Sequence, residues 1–234
     1  QTAVRAVKAN PADVSPLTTL ASQLRRALSV QSDSVFLLGS GVTAAGNPGA
    51  PVTGAAASFA GVISRTDRQD GYWNSPANTP FVAVEPQWSA TNVQAASVNM
   101  TGVVPLSWWP NVGTTARSNR TVAAEAPRAY LSNVRTTYSM QRTISASLQS
   151  YVFAANDANT WVSVTGEISN YLTSMWTQGA LMGPKASTAF TVECGIGTTM
   201  TGQDILNGYM VVDETVRLQA GLLEHWSQTV HMGS

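Results

Sequence analysis

The chain has 234 residues, zero formal net charge and only 11% charged side chains against 44% hydrophobic ones. That balance excludes a basic nucleic-acid footprint and an acidic solvating tail. The length gives room for a proper core in one large domain or two small ones.

So little charge fits either a surface that seeks protein neighbours or a neutral Ser/Thr/Ala-rich one. Cys194 is the single cysteine, so an intramolecular disulfide and a cysteine-based zinc site are both excluded, and a reducing compartment fits. His225 and His231 are too far apart in sequence to share a metal by helix or strand spacing, and both read as exposed or partner-facing. No apolar run of about eighteen residues offers a membrane span. No signal-peptide pattern opens the chain, and the start at Gln1 reads as trimmed or processed.

In chain order, residues 1–14 mix Val4, Val7 and Val14 with Arg5, Lys8 and Asn10-Pro11, which predicts a short strand or extended lead-in. Ser15-Pro16 reads as N-cap and first helical position, and Leu17, Leu20, Leu24 and Leu28 predict a helix over 16–29 with Arg25 and Arg26 near its C-terminal end. Val35–Leu38 reads as a buried strand. Gly39-Ser40-Gly41 after it invites a dinucleotide reading, but Asn47-Pro48-Gly49 and Pro51 break the helix such a site needs, so 39–54 reads as a flexible connector. Ala55–Ile63 suits a helix packed closely on a sheet.

Ser64–Phe81 follows, and the rest of the chain is organised around it. It packs charge, Tyr72, Trp73, Pro76 and Pro80 into one predicted loop, read as a structural crossover or a binding loop. Phe81–Val84 predicts a strand. Thr91–Met100 is ambiguous, with Val93 and Ala96 inward if helical. Val103, Val104 and Leu106 predict another strand, ended by Trp108-Trp109-Pro110, and Gly113–Arg128 reads as a polar surface excursion.

Two amphipathic helices come next. Leu131, Val134, Tyr138, Ile144, Leu148 and Val152 trace one face; Trp161, Val164, Ile168, Leu172 and Met175 trace the other, with cap candidates at Asn156, Asp157, Asn159 and Thr160. Ala189–Cys194 and 209–219 predict strands, the second half-buried by its alternation, with Glu214 interrupting its apolar face. Leu222, Trp226, Val230 and Met232 share one side of a last segment that has strand chemistry but no following element to pair with. Helices between short strands predict an α/β fold: a mixed β-sheet layered with two long amphipathic helices, plus extended terminal arms.

For catalysis, Asp67, Asp70 and Glu85 lie in or near loops, with no histidine near them in sequence and no paired-carboxylate motif. Gly183-Pro184-Lys185 fails as a phosphate loop, because Pro184 separates the Gly and Lys that must be adjacent.

The run AGVISRTDRQDGYWNSPAN resembles the contractile tail sheath family, through Ala60, Gly61, Val62, Ser64, Arg65, Thr66, Asp67, Gly71, Trp73, Pro76, Ala77 and Asn78. Later segments match in the family's order: Val134-Arg135; Val152, Phe153, Asn156, Asp157 and Trp161; Trp176, Gly179, Ala180, Leu181 and Gly183; Phe190, Val192 and Cys194; then Gly208 and Ser227-Gln228. The resemblance covers about 55–234. It departs in having Thr136 where the family has a second arginine, and in lacking a recognisable Pro-Gly-Val-Tyr arm at the start.

What the resemblance implies is a structural subunit and not an enzyme, with no cofactor and no metal. Copies would stack as rings around a tail tube and contract to drive it through a cell envelope. The expected partners are further copies, the tail tube protein, and baseplate and tail terminator proteins, with no nucleic acid and no membrane insertion. The expected setting is a virion tail, or a cytoplasmic injection apparatus, assembled in a bacterial host. The alternative is a self-assembling virion or adhesion protein that does not contract. The expected layout is a lead-in over 1–14, a core over 15–220 and a C-terminal arm over 221–234. Leu222, His225, Trp226, Gln228, Val230 and Met232 would join a neighbour by strand addition, with folding back onto the chain's own sheet as the alternative, and Arg65, Asp67, Gly71, Trp73, Pro76 and Asn78 form the family motif.

Overall fold

Leucines at helical spacing fold Ser15–Leu28 into helix α1 of the computed structural model, which describes residues 6–7, 9–10, 12–28, 33, 35–47, 49–124 and 126–233. The capping side chain of α1 lies two residues earlier than the sequence suggests: the Asp13 carboxylate accepts the Ser15 N–H at 2.9 Å. Ahead of it, Ala6, Val7 and Ala9 are helical and Asn10 N–H reaches the Ala6 carbonyl at 3.1 Å. That replaces the expected extended lead-in, because Val7 is drawn into a core with Leu17, Ala21, Trp88 and Val103. The rest of that expectation, at 1–5, 8 and 11, lies outside the described residues.

The chain divides into two compact units, Gln1–Arg135 and Thr136–Ser234, where the sequence reading has one core over 15–220. The α/β class holds, but among the described residues the strands form four small sheets and not one mixed sheet.

In the first unit β1 (Leu37–Leu38) runs parallel to β5 (Val103–Val104). The expected connector is instead structured: β2 (Gly41–Ala44) is the centre of an antiparallel sheet with β3 (Thr53–Gly54) and β4 (Val84–Pro86). Helix α2 (Ala56–Gln69) runs six residues past the predicted Ile63, since nothing in SRTDRQ breaks a helix, and it ends only where Gly71 takes φ +95°. Phe59 and Val62 of α2 pack with Val42, Phe81, Val104 and Leu106. Ala83 at φ +52° delays the predicted strand of 81–84 until Val84.

Helix α3 (Asn92–Asn99) starts on a Thr91/Gln94 capping box and turns Ala95 and Val98 inward; Val93, expected inward, is 81% exposed. Hairpin β6 (Leu106–Trp109) and β7 (Gly113–Ala116) follows Pro105. The predicted surface excursion is largely buried, with several of its polar groups bonded inward: Thr114 Oγ1 donates to Val84 O at 2.6 Å, Asn119 Nδ2 to Ser132 Oγ at 2.9 Å and Thr121 Oγ1 to Arg128 O at 2.7 Å. Helix α4 (Leu131–Leu148) contains the unit boundary.

In the second unit, Met140, Ile144 and Leu148 form the buried face of α4, while Tyr138, expected on it, is 47% exposed. Helix α5 (Ala158–Thr177) is capped by Asp157, whose carboxylate accepts the Asn159 and Thr160 N–H groups at 3.0 and 3.1 Å, and buries Val164, Ile168, Leu172 and Met175 as predicted. Short helix α6 (Ala186–Ala189) leads into β8 (Phe190–Glu193), and α7 (Gly202–Leu206) into β9 (Tyr209–Arg217). The last segment is β10 (Leu223–His231), antiparallel to β9 over all nine residues, in the order β10-β9-β8. So the segment expected to be a free arm pairs within its own chain, because the Leu218–Leu222 turn folds it back, with Leu218 N–H on Leu222 O at 2.7 Å.

Candidate functional site

The family-motif residues form a brace inside the first unit. Helix continuation places Arg65 and Asp67 on one end of α2. Arg135 grips Asp67 bidentately, Nη1 to Oδ1 at 2.9 Å and Nη2 to Oδ2 at 2.5 Å, with both side chains more than two-thirds buried. Arg65 donates to the Pro80 carbonyl. Between them the chain turns at Gly71, where a Cβ would sit 2.5 Å from the Trp73 ring, and Pro76 is buried.

Asn78, at φ +61°, donates its N–H to Ala116 O at 2.8 Å and accepts Arg117 Nη1 at 3.3 Å; Phe81 N–H reaches Thr114 O at 2.8 Å. Residues 78–81 are thus laid along β7. The Arg117 guanidinium sits 5.0 Å from the Trp109 ring centre. Sequence reading missed Arg117; its signal was an arginine directly after β7, the strand that carries the partners of the motif loop.

The later motif residues hold the second unit together. Trp161 Nε1 donates to Asn156 Oδ1 at 2.8 Å, Asn156 Nδ2 to Tyr209 O at 2.9 Å, and Trp176 Nε1 to Gly183 O at 2.9 Å. The two tryptophan bonds tie the ends of α5 to the loops beside it, and the Asn156 bond ties the loop before α5 to β9.

The residues expected to meet a neighbour divide by face. Trp226, Val230 and Met232 are buried on the inner side of their own sheet, and Leu222 is half-buried in the turn. His225 is exposed beside Thr215, Nδ1 to Oγ1 3.1 Å, and Gln228 Nε2 donates to Gln141 O of α4 at 3.1 Å. What β10 presents outward is its main chain. Met232 N–H bonds to Gly208 O at 2.6 Å and Leu222 O accepts from Leu218, so the even-numbered residues face β9. The N–H and C=O groups of His225, Ser227 and Thr229 therefore point to the far side, where no strand pairs among the described residues. An open groove of about 550 Å³ runs there, walled by Trp226 to Val230 on one side and by Tyr138, Gln141, Arg142, Ser145 and Gln149 on the other.

Charge is unevenly shared. Arginines and lysines outnumber acids up to Arg135, while the second unit holds Asp157, Glu167, Glu193, Asp204, Asp213, Glu214 and Glu224 against Arg142, Lys185 and Arg217. Among the described residues no three His, Cys, Asp or Glu side chains stand together as a metal site, and no helix is long and apolar enough to cross a membrane. Lys185 precedes α6, a single four-residue turn. Burial, then the charges of Glu214 and Asp213, push the Cys194 thiol up to about 11, away from thiolate chemistry.

No protein-family model and no curated protein matches the chain. Solved structures do. A chain of the anti-feeding prophage (AFP) baseplate is 30% identical, with a TM-score of 0.74, over 82% of this chain and 53% of that one. The PVC sheath complex of an extracellular contractile injection system, in its contracted state, is 25% identical with a TM-score of 0.71, over 92% and 56%. The contracted AFP helical sheath is 28% identical with a TM-score of 0.70, over 88% and 55%. These likenesses support the contractile tail sheath family. It spans about half the length of the chains it matches.

Proposed function

We propose that this chain is part of a structural subunit of a contractile tail sheath, stacking with its copies as rings around a tail tube and contracting to drive the tube through a cell envelope. The observation that carries the reading is its likeness to AFP and PVC sheath chains in the contracted state across most of its length. The work would come from the difference between two packings of one subunit, without bond chemistry. Copies related by a heterologous, non-closing contact form a helical array. Partners would be further copies, the tube protein, the baseplate and the tail terminator, in a tail-like particle assembled in a bacterial host.

Linkage between copies would use the free edge of β10, where main-chain groups at His225, Ser227 and Thr229 stand ready for a neighbour's strand and the groove beside α4 receives it. Deleting 222–234 would strip β9 of its partner and is a poor test. Ser227→Pro and Thr229→Pro instead remove outward N–H groups while sparing the ladder to β9. In the complete sheath subunit they should leave a folded monomer that forms no tubes in electron micrographs; tubes of normal abundance refute strand addition. Wild-type tubes of two lengths and widths support contraction, and a single invariant form favours a static assembly.

A further inference from the structure

The inner face of β9 reads Met210, Val212, Glu214, Val216, all buried without remainder. Glu214 is the one carboxyl in that row. It lies opposite Val192 of β8 and Trp226 of β10, and neither of its oxygens has a hydrogen-bond partner; the Trp226 indole N–H has none either. An ionised carboxylate here would have lost its water and gained no donor, whereas the neutral acid is tolerated.

Among the described residues no cation relieves it. On its own strand Asp213 and Arg217 belong to the opposite face, and Arg217 is engaged by the carbonyls of Thr188 and Gly221. β8 contributes Glu193, opposite Asp213, followed by Cys194. β10 contributes Glu224 on the same face, opposite Val216, and His225 on the other, bonded to Thr215. Among the helices, α5 carries Glu167, bonded to Tyr151; α7 carries Asp204, bonded to Thr201; Lys185 stands exposed before α6; and Arg142 of α4 is exposed in the groove beyond Trp226.

Among the described residues β10 has one strand neighbour, and its Trp226 stands directly beside Glu214 on the inner face of the sheet. We propose that Glu214 is a proton-dependent latch on the β9–β10 pairing: neutral, it lets β10 stay paired beside it; ionised, it favours release of that edge strand. Burial, reinforced by the Asp213 charge, pushes the carboxyl up to about 8, which puts the change near physiological pH. The latch does not depend on the sheath reading, although the strand it frees is the one that reading uses for linkage.

The test is hydrogen exchange by mass spectrometry on the full chain between pH 5 and 9, corrected for intrinsic exchange at each pH. Opening exposes Glu214 to water, so the opening constant at the β9-bonded amides of Glu224, Trp226, Gln228 and Val230 should rise about tenfold per pH unit up to about 8 and then level off. It should also exceed that of buried α5 amides by at least about tenfold, the mark of local opening. In Glu214→Gln, and in Glu214→Met should Gln disturb packing, the pH slope should vanish. A flat wild-type profile, a slope retained in both variants, or β10 and α5 exchanging with one shared opening constant overturns the latch.

Discussion

Replacing Glu214 by Gln should flatten the pH dependence of the second unit's stability. The folded carboxyl holds its proton to about 8, whereas the unfolded one releases it near the ordinary 4.5, so between those values the folded state binds more protons. Stability from this group is therefore greatest below pH 4.5, falls as pH rises, and levels off above 8. Each unit of pH is worth about 1.4 kcal/mol, so a full shift sets a ceiling of roughly 5 kcal/mol. Release of β10 lowers that ceiling, since water then reaches the ionised group before global unfolding. Urea unfolding at intervals from pH 5 to 9, followed by circular dichroism, measures the slope. Gln, matched in shape but unable to ionise, should lose it, and Glu214→Leu should be more stable than wild type at pH 8. An equal slope in Gln would mean that another group carries the titration and that Glu214 is paired in solution.

Three further outcomes follow from the geometry. A double-mutant cycle of Asp67→Asn with Arg135→Gln should return a coupling of about 1–2 kcal/mol, because the pair is bidentate and largely buried; a coupling near zero would reduce the brace to an ordinary surface pair. Gly71→Ala should cost about 1–3 kcal/mol in thermal or urea unfolding, since the new Cβ meets Trp73 at a backbone angle of φ +95°; an unchanged midpoint would place the turn elsewhere. Asp157→Ala should destabilise α5 by about 1 kcal/mol through loss of two N-terminal hydrogen bonds, and Asp157→Ser should restore most of it.

Helical stretches were the most legible part of the chain. Spacing alone placed the buried face of α5, because Val164, Ile168, Leu172 and Met175 recur with the helical period, and Asp157 was visible as a cap. The ordered motifs were legible too, and they led to the sheath family that the structural likenesses support. Their roles were not. Asp67 and Arg135 stand 68 residues apart, and no local pattern announces that they meet.

Local chemistry, then, decided the two long helices, the alternation of β9 and the intrusion of Glu214 on its apolar face, because each depends on neighbours a few residues away. Tertiary structure decided what long-range pairing decides. It drew β2 and β3 out of the expected connector into a sheet, buried the polar run after β7 by satisfying most of its hydrogen bonds, carried α2 past Arg65 and Asp67 to Gln69, and gave the last strand a partner in its own chain. A strand's partner and a buried hydroxyl's acceptor both come from distant sequence, and only the folded chain brings them within reach.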